Sequence, residues 1–172
     1  MYFDLIPMGD AVARRISPDR KYLTSLRHHP AVVTDPPRME WRLTSAFAGD
    51  WMRVIDATRV VSLRARDVLE PLLGPMDVVQ WLPAIVRTVA DVPLDCWVMH
   101  FPEPPDIYDA ARSVIGPSGL PTQPVISATK VAGHEIIGPR SQSRTFVSDK
   151  VLAAMRASGL NGYEILGSHT PV

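Results

Sequence analysis

The stretch Thr145-Phe-Val-Ser-Asp-Lys-Val-Leu-Ala-Ala-Met-Arg-Ala-Ser-Gly-Leu-Asn-Gly-Tyr-Glu-Ile-Leu166 carries the clearest local signal in the chain. Thr145 to Val147 is a short β-type run. Ser148 is a residue type that caps helix N-termini, and Asp149 puts an acid in the first turn, where the helix dipole favours it. Val151, Leu152 and Met155 then share one face of a 3.6-residue period. Val147 and Leu152 have the spacing of a hydrophobic staple, while Gly159-Leu160 fits a Schellman stop with Leu160 folded back on Met155. Tyr163 to Leu166 follows as a closing strand. The spacing therefore predicts strand, capped helix, strand.

The same order recurs upstream. Val60-Val61-Ser62 leads into Ala65, Leu69, Leu72 and Leu73 on one helical face, Gly74 is placed to end the helix, and Val78 to Leu82 resumes as strand. Proline inside a helix costs about 3 kcal/mol, so Pro71 predicts that the regular helix stops near Glu70 or kinks there. The two stretches read as a diverged duplication or as two instances of a common unit. Pro83 divides the next apolar region into two expected strands, Asp77 to Leu82 and Ala84 to Val89. Leu94 to Phe101 is apolar on both alternating faces, which predicts a central strand covered on each side. Val125 to Ala132 and Glu135 to Ile137, joined at Gly133, predict a hairpin.

Toward the N-terminus the signal thins. Residues 1 to 8 read as a first strand, and Pro7, Pro18, Pro30 and Pro36-Pro37 mark residues 9 to 38 as mostly loop, with one short helix around Leu23 and Leu26. Met39 to Thr44 alternates as a half-buried strand does, and Trp51 to Val61 is apolar again. The expected fold is α+β, with a mixed or mostly antiparallel sheet, two or three short helices packed on it and two strand-helix-strand units. A single domain over 1–172 is expected, with proline-rich N-terminal strands and loops over 1–56 and an α+β core over 57–172. Between Ile115 and Thr122 and before Asp109 lies a second proline-rich connection, 102 to 123, with a short helical turn expected near Ala110 to Val114.

Hydrophobic residues make up 46% and charged ones 21% of the 172 residues, a composition that supports a globular core. Seventeen prolines are about twice the usual share, so stiff loops are expected. Lys plus Arg and Asp plus Glu balance at 18 each, which leaves no basic field for direct nucleic-acid binding. Cys96 has no second thiol, which excludes a disulfide framework and suits a reducing compartment. The opening Met-Tyr-Phe-Asp lacks the basic flank and long apolar core of a signal peptide, and no run reaches a membrane-spanning length. A cytoplasmic protein with no membrane contact is expected.

Reaction chemistry is hard to assemble from these residues. Gly116-Pro-Ser-Gly119 lacks the flanking strand and helix of a nucleophile elbow, which counts against Ser118. Cys96 and His100 share a strand face, but four extended residues span about 13 Å, so Cys96 reads as a buried small residue. His28-His29 are adjacent, His134-Glu135 lacks a second ligand histidine, His169 lies in a tail, and Asp4, Asp10, Asp50 and Asp56 show no pairing. No catalytic residue, metal or cofactor is expected. Trp41, Trp51, Trp81 and Trp97 read as core, Trp51 with the weakest support. What remains is the stiff loop with Glu103, Asp106, Tyr108 and Asp109, read as a partner-binding patch against the plainer account of a solvated loop. The rival functional reading is an enzyme or small-molecule-binding protein whose site is assembled from Asp56, Cys96, His100 and His134. A third is a subunit docking through 102 to 123.

Four segments carry a family resemblance. They are Arg59-Val60-Val61-Ser62 through Glu70, Val79-Gln80-Trp81-Leu82-Pro83, Trp97-Val98-Met99-His100, and Arg144 through Val151 with Ser158-Gly159-Leu160-Asn161-Gly162-Tyr163-Glu164. On these the chain resembles the immunity protein 11 family, bacterial proteins typically encoded beside polymorphic toxins. The likeness runs from Ile55 to Gly167 and is strongest at its C-terminal end. It implies a protein that binds and neutralises a cognate toxin, with a nuclease among the toxin classes, and it supplies no catalytic residues. The chain departs from the family in its proline-rich first segment and its balanced charge, whereas an inhibitor of a basic nuclease is often acidic.

Overall fold

The computed structural model describes residues 1–8, 12–17, 20–28, 30–46, 49–54, 58–117, 121–139 and 144–172. Asp10, His29, Asp56 and Ser118, with the side chain of His28, lie outside the described residues. In chain order the elements are β1 (Tyr2–Pro7), β2 (Val12–Ser17), α1 (Arg20–His28), β3 (Met39–Leu43), β4 (Trp51–Val54), β5 (Val60–Ser62) and α2 (Leu63–Leu69) with a 3₁₀ turn at Glu70–Leu72. Then follow β6 (Gln80–Arg87), β7 (Pro93–His100), β8 (Val114–Ile115), β9 (Pro121–Gln123), α3 (Ala128–Val131), β10 (Ile136–Ile137), β11 (Thr145–Ser148), α4 (Asp149–Ala157) and β12 (Tyr163–His169). The fold is α+β with mixed, mostly antiparallel sheets, as expected. The helices sit beside a feature that the sequence reading did not contain.

That feature is a closed barrel of six strands in the order β2-β3-β6-β7-β5-β4. The β3–β6 and β2–β4 pairs are parallel and the rest antiparallel. Alternation explains its filled interior: Met39, Trp41 and Leu43 of β3, Leu82, Ala84 and Val86 of β6, and Cys96 and Val98 of β7 all join one buried cluster, together with Leu23 of α1. Closure gives each of the six strands a partner on both sides, although the β6 ladder to β3 starts only at Ala84 and the β7 ladder to β5 only at Cys96.

Several expectations change here. Residues 12 to 17, read as loop, form β2; only Ala13 is buried while Arg14, Arg15 and Ile16 are exposed, so the stretch lacks an apolar pattern of its own. Pro83 does not split two strands, because β6 runs through it. The ladder to β3 begins only at Ala84, so Pro83 sits just before it, a position that tolerates a missing N–H. The expected hairpin over 125 to 137 does not form. Residues 125 to 127 bond back to 107 to 109, Ala128 to Val131 coils into α3, and Ile136-Ile137 pairs with β11. The expected turn near Ala110 to Val114 is present over 110 to 112, and Val114 has passed into β8.

The second layer is an antiparallel sheet, β10-β11-β1-β12. Leu5, Val147 and Ile136 on one face pack with Ala65 and Leu69 of α2 and with Val151, Leu152 and Met155 of α4. Tyr2, Phe146 and Ile137 on the other face are covered by Ile107, Ile126 and Val131. Both long caps form as read: Ser62 accepts from the Ala65 amide at 3.0 Å and Ser148 from that of Val151 at 3.4 Å. Helix α2 stops at Leu69 and Pro71 falls within the 3₁₀ turn. At the end of α4 the Leu160 amide reaches the Met155 carbonyl at 3.0 Å, with Gly159 at φ 63°, the left-handed conformation that a Schellman stop requires. Strands β5 and β6 each pair antiparallel with β7, and β11 and β12 each pair antiparallel with β1.

Candidate functional site

The acidic loop after β7 is held by its own aspartates and by Lys130 of α3. Asp106 accepts the Tyr108 amide at 3.3 Å and an ion pair from Lys130 at 2.6 Å, and the same ammonium group donates to the Tyr108 carbonyl at 2.8 Å. Lys130 holds the Asp106 carboxyl below the ordinary carboxylate range, against a smaller opposing effect of burial. Asp109 accepts the amides of Ala111 and Arg112 at 3.0 and 3.2 Å and faces the Arg112 guanidinium at 3.6 Å. These are the local side-chain-to-backbone bonds by which aspartates make turns. Between them Ile107 is fully buried and Tyr108 is half-buried, bridging to Ile126. Glu103 is exposed. The four expected patch residues thus share one loop, but Asp106 and Asp109 already spend much of their hydrogen-bonding capacity inside it.

The described residues of the rival site, Cys96, His100 and His134, do not converge. Cys96 lies in the barrel interior at 2% exposure, and burial pushes its thiol up to about 12, far above the range of a nucleophilic cysteine. His100 bonds through Nε2 to the Ala31 carbonyl at 2.8 Å, and burial holds its pKa below the ordinary histidine value. His134 turns instead to Asp77, Nδ1 to Oδ1 at 2.8 Å. The side chain of Asp77 is wholly buried and also accepts the amides of Gly74, Glu135 and Ile136 at 2.7, 3.0 and 3.0 Å. Asp77 is a knot that ties the turn after α2 to the segment before β10. Among the described residues no group of three or more His, Cys, Asp or Glu side chains is placed to hold a metal ion.

Asp4, one of the carboxylates considered from sequence, is 2% exposed and meets Arg144 at 2.9 Å. Burial raises its pKa, and the Arg144 charge offsets this only in part.

A second surface emerges on the barrel's outer wall. Outward-facing Pro83 and Trp97 oppose each other across β6 and β7, as do Ile85 and Asp95, and with Leu63 and Pro37 they line a groove of about 440 Å³. Trp41 and Trp51 are core, as expected, but Trp81 and Trp97 are only half-buried. The Arg66 guanidinium lies over the Trp97 ring, 4.1 Å from its centroid. Sequence reasoning missed this site because β7 is apolar at both parities, which hides which parity faces outward. The remaining signal was Asp95, a charge on the same parity as Trp97.

No helix among the described residues is long and apolar enough to cross a membrane. Compared with known proteins, the chain matches no family model and no curated sequence.

Proposed function

We propose that this chain is a bacterial immunity protein, which binds a toxin protein and neutralises it without catalysis of its own. The reading starts from the resemblance in the two strand-helix-strand units, β5-α2-β6 and β11-α4-β12. The observation that carries it in the structure is the pre-ordered acidic loop. Lys130 and Arg112 brace Asp106 and Asp109, so little ordering entropy remains to be lost when Glu103 and the exposed edge of the loop meet a partner. Loops fixed on a rigid scaffold are common sites of recognition. A cognate toxin with a basic active-site cleft, as a nuclease has, is the complementary partner. Its binding needs no nucleic acid and no membrane. The buried, unpaired Cys96 suits action in a reducing cytoplasm.

Co-expression with the toxin encoded by the neighbouring gene tests the proposal. Growth and co-purification are the expected results. Growth arrest with no complex would overturn it.

A further inference from the structure

We infer that the side of the barrel formed by β4, β2, β3 and β6 binds the phosphate backbone of a nucleic acid, through a row of arginines and without reading its sequence. The inference stands apart from the toxin reading. Strands β2, β3 and β6 lie side by side, and their registers set Arg14 opposite Arg42 and Arg42 opposite Arg87. Arg53 flanks the row from β4, where it pairs with Val12. The alternation that buries Ala13, Leu43, Val54 and Val86 turns these four arginines outward.

Charge selects a polyanion. Arg14, Arg15 and Arg53 are exposed, and their guanidinium groups have no hydrogen bond or ion pair among the described residues. Beside them Arg42 is held by Asp91 at 2.6 Å, Arg87 by Glu40 and by Asp91 at 3.6 Å, and Arg38 by Glu40 at 3.0 Å. Glu40 and Asp91 are thus the carboxylates that serve this wall, and Arg14, Arg15 and Arg53 are left over. The chain's charge sums to zero, and that balance conceals the local excess. Like charges directly opposite on neighbouring strands weaken a sheet. The row is a cost to the fold that a bound polyanion offsets.

The other exposed side chains favour phosphate over a protein surface. On these four strands the exposed residues are Arg14, Arg15, Arg42 and Arg53, with Ile16 and Pro83 as the uncharged ones. A protein interface is centred on an aromatic or apolar anchor sealed from water, whereas a nucleic-acid interface is polar and strongly positive. Neighbouring strands stand about 4.8 Å apart, so the long side chains of Arg14, Arg42 and Arg87 can spread over successive phosphates. Each guanidinium offers the forked pair of donors that phosphate accepts. With no exposed ring to stack a base, the contacts go to the backbone and carry no sequence preference.

The test titrates the full chain into a fluorescein-labelled DNA duplex of about 20 base pairs and follows anisotropy from about 20 to about 150 mM salt. Binding should appear at the low end and weaken with a log–log slope of about −3, roughly one unit for each unpaired arginine. Arg14→Gln combined with Arg53→Gln should bring the slope to about −1. Arg156→Gln, at an exposed position of α4, should leave it unchanged. Urea unfolding should find the double variant at least as stable as the wild type, because the Arg14–Arg42 repulsion has gone, so its lost binding is not lost folding. No binding at about 20 mM salt, a slope that the double variant keeps, or an equal loss in Arg156→Gln would overturn the inference. Tighter binding of polyglutamate or of anionic lipid vesicles at equal charge concentration would overturn it too, and would assign the wall to an acidic protein or to a membrane.

Discussion

Asp50 and Asn161, 111 positions apart in the chain, bond to each other's backbone: the Asp50 amide donates to Asn161 Oδ1 at 3.1 Å, and the Asn161 amide donates to Asp50 Oδ2 at 3.2 Å. Asp50 also accepts the hydroxyl of Ser62, the cap of α2, at 2.7 Å. One carboxylate thereby joins the start of α2 to the turn after α4. Removing it takes the acceptor from the Ser62 hydroxyl, the Asn161 amide and the Arg64 guanidinium, which lies 3.3 Å away. Asp50→Ala should lower stability by about 2 to 4 kcal/mol, and Asn161→Ala by less. Urea unfolding of both and of the double variant would show a coupling of at least about 0.5 kcal/mol; strict additivity would mean that the bonds do not act together.

Asp77 gives a sharper case, because three amides and His134 depend on a side chain with no solvent to replace it. Asp77→Ala should cost about 3 to 5 kcal/mol. Asp77→Asn should lose less, because its one oxygen, a weaker acceptor than a carboxylate, can keep the three amides while its nitrogen can serve only an accepting His134 Nδ1. Hydrogen exchange at Gly74, Glu135 and Ile136 should quicken in both variants. Unchanged exchange at these amides would remove Asp77 from its assigned role.

Acid should weaken the fold through His100. Burial sets its folded pKa below the unfolded value, so the folded protein binds this proton less readily than the unfolded chain does. The stabilisation is complete above the unfolded value of about 6.5 and is lost as pH falls through the folded pKa. His169 is shifted in the same direction, chiefly by burial. His100→Gln can still donate toward the Ala31 carbonyl, and its stability should fall less steeply than that of the wild type from about pH 7 to pH 5. Parallel curves would refute the assignment.

Asp4 should act in the opposite sense. Its folded pKa is raised, chiefly by burial, so its contribution is complete below the unfolded carboxylate value and is lost as pH rises through the folded pKa. The stability of Asp4→Asn relative to wild type should therefore improve from about pH 4 to pH 7. A relative stability that falls over that interval would show that the Arg144 pairing outweighs burial.

The Cys96 thiol should resist an aromatic disulfide reagent in the native protein at mildly alkaline pH and react once the chain is unfolded, because it is enclosed in the barrel and held almost wholly protonated. Rapid native modification would revive the rival reading of a chemical site there.

Legibility followed the range of the interactions. The β11-α4-β12 stretch was readable because Ser148, Asp149, Gly159 and Leu160 act on neighbours within a few residues. Barrel closure was not, since it depends on pairings such as Met39↔Ala84 and Ala13↔Val54, which leave no local trace. The arginines of β2 even argue against a strand when read alone. At the candidate site, composition located the loop around Tyr108. It could not reveal that Asp106 and Asp109 are turn-makers, because Lys130 arrives from α3 to complete the arrangement.

Strand β1 lies between β11 and β12 in the second sheet. During synthesis it therefore emerges long before either neighbour exists, whereas every barrel strand has been made by His100. The barrel has all its pieces while β1 still waits, and loop-closure entropy opposes the late joining of such distant segments. Assembly thus has a built-in order, barrel first and sheet last, and pulsed hydrogen exchange during refolding should find the amides of Phe3 and Leu5 protected after those of Val86 and Val98.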